Sequence, residues 1–218
     1  MDTIEKLTEF FKEFPGIGER QAKRFVYFLM YKNSGYTEDL IKLILELKKE
    51  VSQCPECFRF FLKKSSPVEL RSRENKNKIC DICSNPNIDS SVLMIIEKDS
   101  DLESILKSKI YHGKYFILGG LVPIVEKNTK SKVRIEELIS KIKNNIKNTD
   151  NNKLEEIILA FSLSPQGEHT DSYIRTQIGN LCEENKIKIS SLGRGLSTGT
   201  ELEYSDNDTL KNALKNRQ

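Results

Sequence analysis

The chain has 218 residues, 37% of them hydrophobic and 31% charged, a length that suits one large domain or two to three small ones and a composition that excludes collagen-like repeats and low-charge secreted mini-proteins. With 35 basic and 32 acidic residues the formal charge is only +3, so the placement of the positive groups, not their sum, must name any polyanionic partner. No apolar run approaches the roughly 18 residues needed to cross a bilayer, and Met1-Asp2-Thr3-Ile4-Glu5 lacks a basic segment leading into an apolar one, so a cytoplasmic protein with no membrane partner is expected.

Residues 1–52 read as a small helical module. Ile4, Leu7, Phe11 and Phe14 recur at helical spacing, Phe14-Pro15-Gly16-Ile17-Gly18 breaks the helix, and a second helix carries Ala22, Phe25, Val26 and Leu29. A third follows Asn33-Ser34-Gly35, with Leu40, Leu43, Ile44, Leu47 and Val51 on one stripe and Thr37 placed as its N-cap. Residues 53–90 lose this period, carry two cysteine pairs and a charged insert at 63–78, and have so few core-forming residues that a bound ion is expected to replace a core.

Beyond residue 90 strand-like and helix-like segments alternate. Strands are expected at Val92–Glu97, Tyr115–Leu118, Glu156–Phe161 and Lys186–Ser190, with helices near 101–109, 134–147 and 170–185. Such alternation implies an α/β domain with a mostly parallel sheet covered on both faces, because parallel strands need crossover helices. The polar tail after Ser205 is expected to fray or to dock on a neighbour.

Four groups of residues invite chemistry. At Pro15-Gly16-Ile17-Gly18 two glycines allow a tight turn and close approach of backbone N–H groups to a phosphate, the following helix adds its positive end, and Arg20, Lys23 and Arg24 reach the next phosphates. This is the pattern of a helix-hairpin-helix element; the bland reading is a simple connection between two bundled helices. In the second group, Cys54-Pro55-Glu56-Cys57 and Cys80-Asp81-Ile82-Cys83, 22 residues apart, form two hooks that complete a closed tetrahedral sulfur site, so one structural Zn²⁺ per chain is expected in place of disulfides or free thiols. Cys182 stands apart on the apolar side of a helix and reads as a buried thiol.

The third group is acidic: Glu97, Asp99 and Asp101 after the first strand, and Gln166-Gly167-Glu168-His169 after the third. Carboxylates at the ends of neighbouring parallel strands can share a crevice and hold Mg²⁺, while Asp99 and Asp101 serve equally well as helix caps. The fourth, Ser191 to Tyr204, is glycine-rich but has no lysine in the order a phosphate-binding loop requires. With two histidines, His112 and His169, and no Gly-x-Ser-x-Gly, a hydrolase triad has little to work with.

In the same order of parts, the chain resembles the bacterial RecR family of recombination mediators. Phe14-Pro15-Gly16-Ile17-Gly18 with Arg20, Ala22 and Arg24 is similar to the family's hairpin, and Cys54 to Cys83, ending Cys80-Asp81-Ile82-Cys83-Ser84-Asn85-Pro86, to its four-cysteine finger. Ile95-Ile96-Glu97 through Asp101, Tyr115 through Gly120 and Gly167-Glu168-x-Thr170 resemble its Toprim domain, and Leu192-Gly193-Arg194-Gly195-Leu196 through Asp206 its C-terminal signature. The resemblance implies an α/β multidomain chain: a helix-hairpin-helix domain at 1–52, a four-cysteine zinc finger at 53–90, a Toprim domain at 91–190 and a C-terminal segment at 191–218 that contacts a neighbouring subunit.

It further implies a noncatalytic DNA-repair protein of the RecF–RecO–RecR pathway, assembled as a ring-shaped homotetramer, that binds single-stranded, double-stranded or gapped DNA and helps load RecA. On that reading Gly16, Gly18, Arg20, Lys23 and Arg24 face DNA, Cys54, Cys57, Cys80 and Cys83 hold zinc, and Glu97, Asp101 and Glu168 contact RecO or RecF. The alternative is a Mg²⁺-dependent Toprim nuclease or topoisomerase-like enzyme, with Glu97 as acid/base and Asp99, Asp101 and Glu168 as ligands. The chain departs from the family's pattern in its long finger spacer, in Gln166 where the family has an acid, and in Leu121-Val122-Pro123-Ile124-Val125-Glu126.

Overall fold

The computed structural model describes residues 1–63, 79–125, 133–147, 153–193, 195, 196, 199 and 201–215. The charged insert past Lys63 therefore lies outside the described residues, as does the end of the divergent loop. The chain divides into two compact units, Met1–Val51 and Ser52–Gln218.

The first unit is helical. Helix α1 (Thr3–Lys12) opens with a capping box in which Asp2 Oδ1 accepts from the Glu5 N–H and Glu5 Oε2 accepts from the Asp2 N–H, satisfying two otherwise orphaned donors. Helix α2 (Glu19–Met30) packs back on α1 through Ala22, Val26 and the edge-to-face pair Phe11–Phe25, whose ring centroids are 5.6 Å apart. Helix α3 (Ser34–Glu50) begins earlier than its apolar stripe suggests: Asn33 Oδ1 accepts the Tyr36 N–H at 2.9 Å, so Asn33 is the N-cap and Thr37 lies inside the helix. None of its residues is buried.

The cysteine segment folds as a short hairpin, β1 (Val51–Gln53) with β2 (Phe60–Leu62), followed by α4 (Asp81–Ser84). After it come the strands of one sheet, β3 (Asp89–Ile96), β4 (Gly113–Ile117), β5 (Glu156–Ala160) and β6 (Lys188–Ser191), linked by α5 (Asp99–Ser108), α6 (Ile135–Lys147) and α7 (Pro165–Glu184). The sheet is all-parallel, in the order β4-β3-β5-β6. The two-residue period of the strands sorts their side chains cleanly. Leu93, Ile95, Phe116, Leu118, Ile157 and Leu159 face α6 and α7, where Leu138, Ile142, Ile174, Ile178 and Cys182 complete one core. Met94, Ile96, Tyr115 and Ile117 face the other way, onto Leu102 of α5 and onto Cys54, Cys57, Cys80 and Ile82.

The cysteine segment is thus not a core-less appendage, because it supplies part of the layer that covers one face of the sheet. The polar tail, expected to fray or to dock on a neighbour, holds a 3₁₀ turn (Leu202–Tyr204) and a helix, α8 (Asn207–Lys215). No helix among the described residues is long and apolar enough to cross a membrane.

Candidate nucleic-acid interface and metal centre

At the junction of α1 and α2, the Ile17 N–H donates to the Phe14 carbonyl at 3.0 Å. Pro15 and Gly16 occupy the corner, with Gly16 at φ +77°, a left-handed conformation that a side chain would strain. Gly18 caps α2 with no side-chain hydrogen bond, and a Cβ added at either glycine would meet nothing within 4 Å. The glycines leave an open backbone face, not a packing contact. Arg20, Lys23 and Arg24 are exposed on the turns that follow. Lys23 is engaged by Glu19 at 2.7 Å, a pair that lowers the Glu19 pKa and raises that of Lys23. Arg20 has no ion-pair partner among the described residues, and Arg24 only grazes Gln21 at 3.4 Å. The two arginines are the available cations of this face.

The four cysteine Sγ atoms lie within 4.8 Å of one another. Cys57 Sγ and Cys80 Sγ are 3.6 Å apart, close to the separation of two sulfurs on one tetrahedral ion with bonds of about 2.3 Å. Backbone N–H groups already point at the sulfurs: Cys80 N–H at Cys54 Sγ and Cys83 N–H at Cys80 Sγ, both 3.5 Å. Crowding of the thiols spreads their proton affinities. Cys54 is held well below the ordinary thiol range by Cys57, then by Cys80 and Cys83, whereas hydrogen bonding with Cys54 pushes Cys57 and Cys83 far above it. A cation that displaces those protons relieves the conflict, and the residues fit a metal ion. Cys182, by contrast, is buried in α7 and its thiol is pushed up to about 11 by burial.

The cysteine hooks are bolted to β4, the outer strand of the sheet. Ile117 N–H donates to the Cys57 carbonyl at 2.9 Å and Lys114 Nζ to the Cys83 carbonyl at 3.2 Å. Phe58, in the left-handed region at φ 62°, turns its ring onto Phe116 and under the Arg134 guanidinium, which lies 5.2 Å from the ring centroid. Arg59 pairs with Asp81 at 3.3 Å and so joins the two hooks. Lys141 of α6, largely buried, reaches Glu56 at 2.9 Å. These long-range partners carry no local sequence signal, and reading the sequence missed them.

The acids behave differently from one another. β3 and β5 pair from Val92↔Glu156 to Ile96↔Ala160, so Glu97 and the start of α7 lie at the same end of the sheet. Glu97 sits 3.7 Å from Lys98 Nζ; Asp101 Oδ2 accepts the Lys98 N–H at 3.3 Å, acting on the helix start. Asp99 Oδ1 accepts the Phe60 N–H of β2 at 2.8 Å. Glu168 is exposed on the first turn of α7. Among the described residues the cysteines form the one group of three or more metal-ligating side chains drawn together; the acids do not. A cavity of about 240 Å³ at the ends of β5 and β6 is lined by Asp171, Ser162, Ser191 and mostly apolar neighbours, not by those four acids. Gln166 Nε2 donates, at the long limit of 3.5 Å, to the Leu121 carbonyl. A carboxylate at that position could not donate to the carbonyl.

The Toprim domain family matches residues 91–193, and the RecR C-terminal family matches residues 195–218. The recombination protein RecR of Lactobacillus acidophilus is 32% identical over 214 residues, covering 98% of this chain and 96% of that protein. The chain belongs to the RecR family. Other RecR proteins agree over comparable lengths: that of Dehalococcoides mccartyi is 31% identical over 99% of this chain and 93% of its own, and that of Bacteroides thetaiotaomicron 29% identical over 98% and 92%. The RecR family's α/β layout is the one seen here, with a helical N-terminus, a four-cysteine cluster, a parallel Toprim sheet and a short C-terminal segment.

Proposed function

We propose that this RecR-family chain is a noncatalytic, cytoplasmic recombination mediator that binds DNA through its N-terminal helical unit and, with RecO and RecF, helps load RecA onto gapped or single-stranded DNA. The observation that carries this reading is the exposed Pro15–Gly18 turn. Its glycines have open space where side chains would stand, the uncapped start of α2 follows, and Arg20 and Arg24 are not engaged in ion pairs. Backbone N–H groups and arginines at such a turn grip phosphates and read no bases, so binding is sequence-tolerant and salt-sensitive. Residues 1–52 act as a helix-hairpin-helix domain, 53–90 as the zinc finger, 91–190 as the Toprim domain and 191–218 as an inter-subunit segment.

The cysteine site holds one structural Zn²⁺, because four sulfurs leave no open position for water. Glu97, Asp101 and Glu168 offer carboxylates to basic residues of RecO or RecF. A homotetrameric ring presents several hairpin turns to one strand, so individually weak contacts gain effective concentration. The nuclease alternative finds no support in the acids, two of which, Asp99 and Asp101, are engaged by backbone N–H groups.

Binding of a short oligonucleotide at low salt, compared between the native chain and Arg20→Ala/Arg24→Ala, tests the reading. The variant is expected to bind at least about tenfold more weakly, with metal content unchanged, and neither protein to cleave DNA with Mg²⁺ or Mn²⁺. Unaltered affinity, or cleavage abolished by Glu97→Gln, overturns it.

A further inference from the structure

We infer that Asp99 is a positioning residue that couples the cysteine site to the acidic turn at Glu97–Asp101, so that metal occupancy sets the geometry of the surface proposed to meet a basic partner protein. The proposal builds on the partner reading given above, but its physical core is separate. An aspartate at the first position of a helix ordinarily turns to that helix's own N–H groups. Here Asp99 Oδ1 instead accepts the N–H of Phe60, 39 residues away in sequence and three residues past Cys57. The acidic turn is thereby tied to the strand that leaves the first cysteine hook.

The same hook is fixed at its other end. The Cys57 carbonyl accepts the Ile117 N–H from the outer edge of β4, and that edge would otherwise present unpaired groups to solvent. Between these two ties lies Phe58 in its left-handed conformation, a geometry that persists only where its surroundings hold it. The four sulfurs lie within 4.8 Å of one another, so a cation shared among them would tie the two hooks into one unit and hold this turn. When the hook loosens, the β4 edge and the Asp99 acceptor lose their partners together. The acidic turn then keeps its backbone bonds, the Gly119 N–H to the Glu97 carbonyl at 2.9 Å among them, and the Asp101 cap, but loses its one side-chain tie to the cysteine segment.

Hydrogen exchange on the full-length, metal-loaded protein tests the coupling. Asp99→Ala is expected to speed exchange across 97–103 and 58–62 by roughly tenfold, the scale of losing one hydrogen bond, while one metal ion per chain remains. Asp99→Asn is expected to restore native rates, because its amide oxygen accepts the same N–H; a role resting on the carboxylate charge would not be rescued. Removing the metal from the native chain should reproduce the faster exchange at 97–103 and add it at 113–117. Native exchange at 97–103 in Asp99→Ala, failure of Asn to rescue, or an unchanged 97–103 after the cysteines are emptied each overturns the proposal. If Asp99→Ala does not fold, Asp99→Asn and metal removal still decide it. Cognate RecO supplies the separate arm: binding unaffected by Glu97→Gln and Glu168→Gln sinks the partner reading while the exchange data still judge the tie.

Discussion

The two units of this chain solve the burial problem in opposite ways. In the sheet unit, alternation along β3, β4 and β5 sends every second side chain to one of two sealed cores, and the cysteine hooks act as part of the second lid. In the helical unit only Thr8, Ala22 and Val26 are buried, while Leu43, Ile44 and Leu47 of α3 are 62%, 52% and 57% exposed on an apolar stripe. An open stripe of that kind is what the proposed self-association would cover. The sheet unit buries its apolar residues in two cores, and the helical unit leaves most of its own exposed.

The largest effect is expected from emptying or breaking the four-cysteine site. Chelation, or Cys80→Ser, strips the lid from one face of the sheet and is expected to cost several kcal/mol, on the order of half or more of a typical domain's stability, read as a large fall in Tm. Next in size is the core itself. Phe116→Ala should cost about 3–5 kcal/mol, whereas Ile44→Ala on the open stripe should change protomer stability by less than about 0.5 kcal/mol and instead weaken self-association in light scattering. Equal effects of the two substitutions would erase the distinction.

A pair of glycines sharpens it further. A Cβ at Gly167 would fall on the Ser162 carbonyl, so Gly167→Ala should cost about 1–3 kcal/mol by denaturant unfolding. Gly18→Ala meets open space and should cost under about 1 kcal/mol yet weaken oligonucleotide binding. The smallest effect is electrostatic. Glu156 on β5 accepts from Ser190 and lies 3.2 Å from Lys188, and the Ser190 hydroxyl, ahead of Lys188, holds its pKa below the usual carboxylate value. Its contribution is therefore full above the unfolded-state value of about 4.3 and is lost as pH falls through the lower folded-state value, so Glu156→Gln should flatten the acid limb of the stability curve by less than about 1 kcal/mol.

What the sequence made legible follows the range of each interaction. The sheet strands, the helices between them and the buried state of Cys182 were readable because period-two and period-3.6 patterns are local, whereas α8 in the polar tail was not. The four-cysteine site was readable because each Cys-x-x-Cys hook declares itself within four residues. The cap of α3 was misplaced at Thr37 because Ser34 and Gly35 resemble a loop until Asn33 is seen holding the Tyr36 N–H. The setting of the cysteines could not be read at all: Ile117, Lys114, Arg134 and Lys141 meet them across long separations, and nothing near Asp99 announces Phe60.

The proposed grip on phosphates at the Pro15–Gly18 turn depends on Arg20 and Arg24. The most direct measurement is the affinity of the assembled protein for a single-stranded oligonucleotide over a series of salt concentrations, native against Arg20→Ala/Arg24→Ala. A linear fall of log K with log salt is expected for the native protein, and a slope shallower by about 0.7 for each phosphate contact the variant loses. Identical slopes for the two proteins would contradict it.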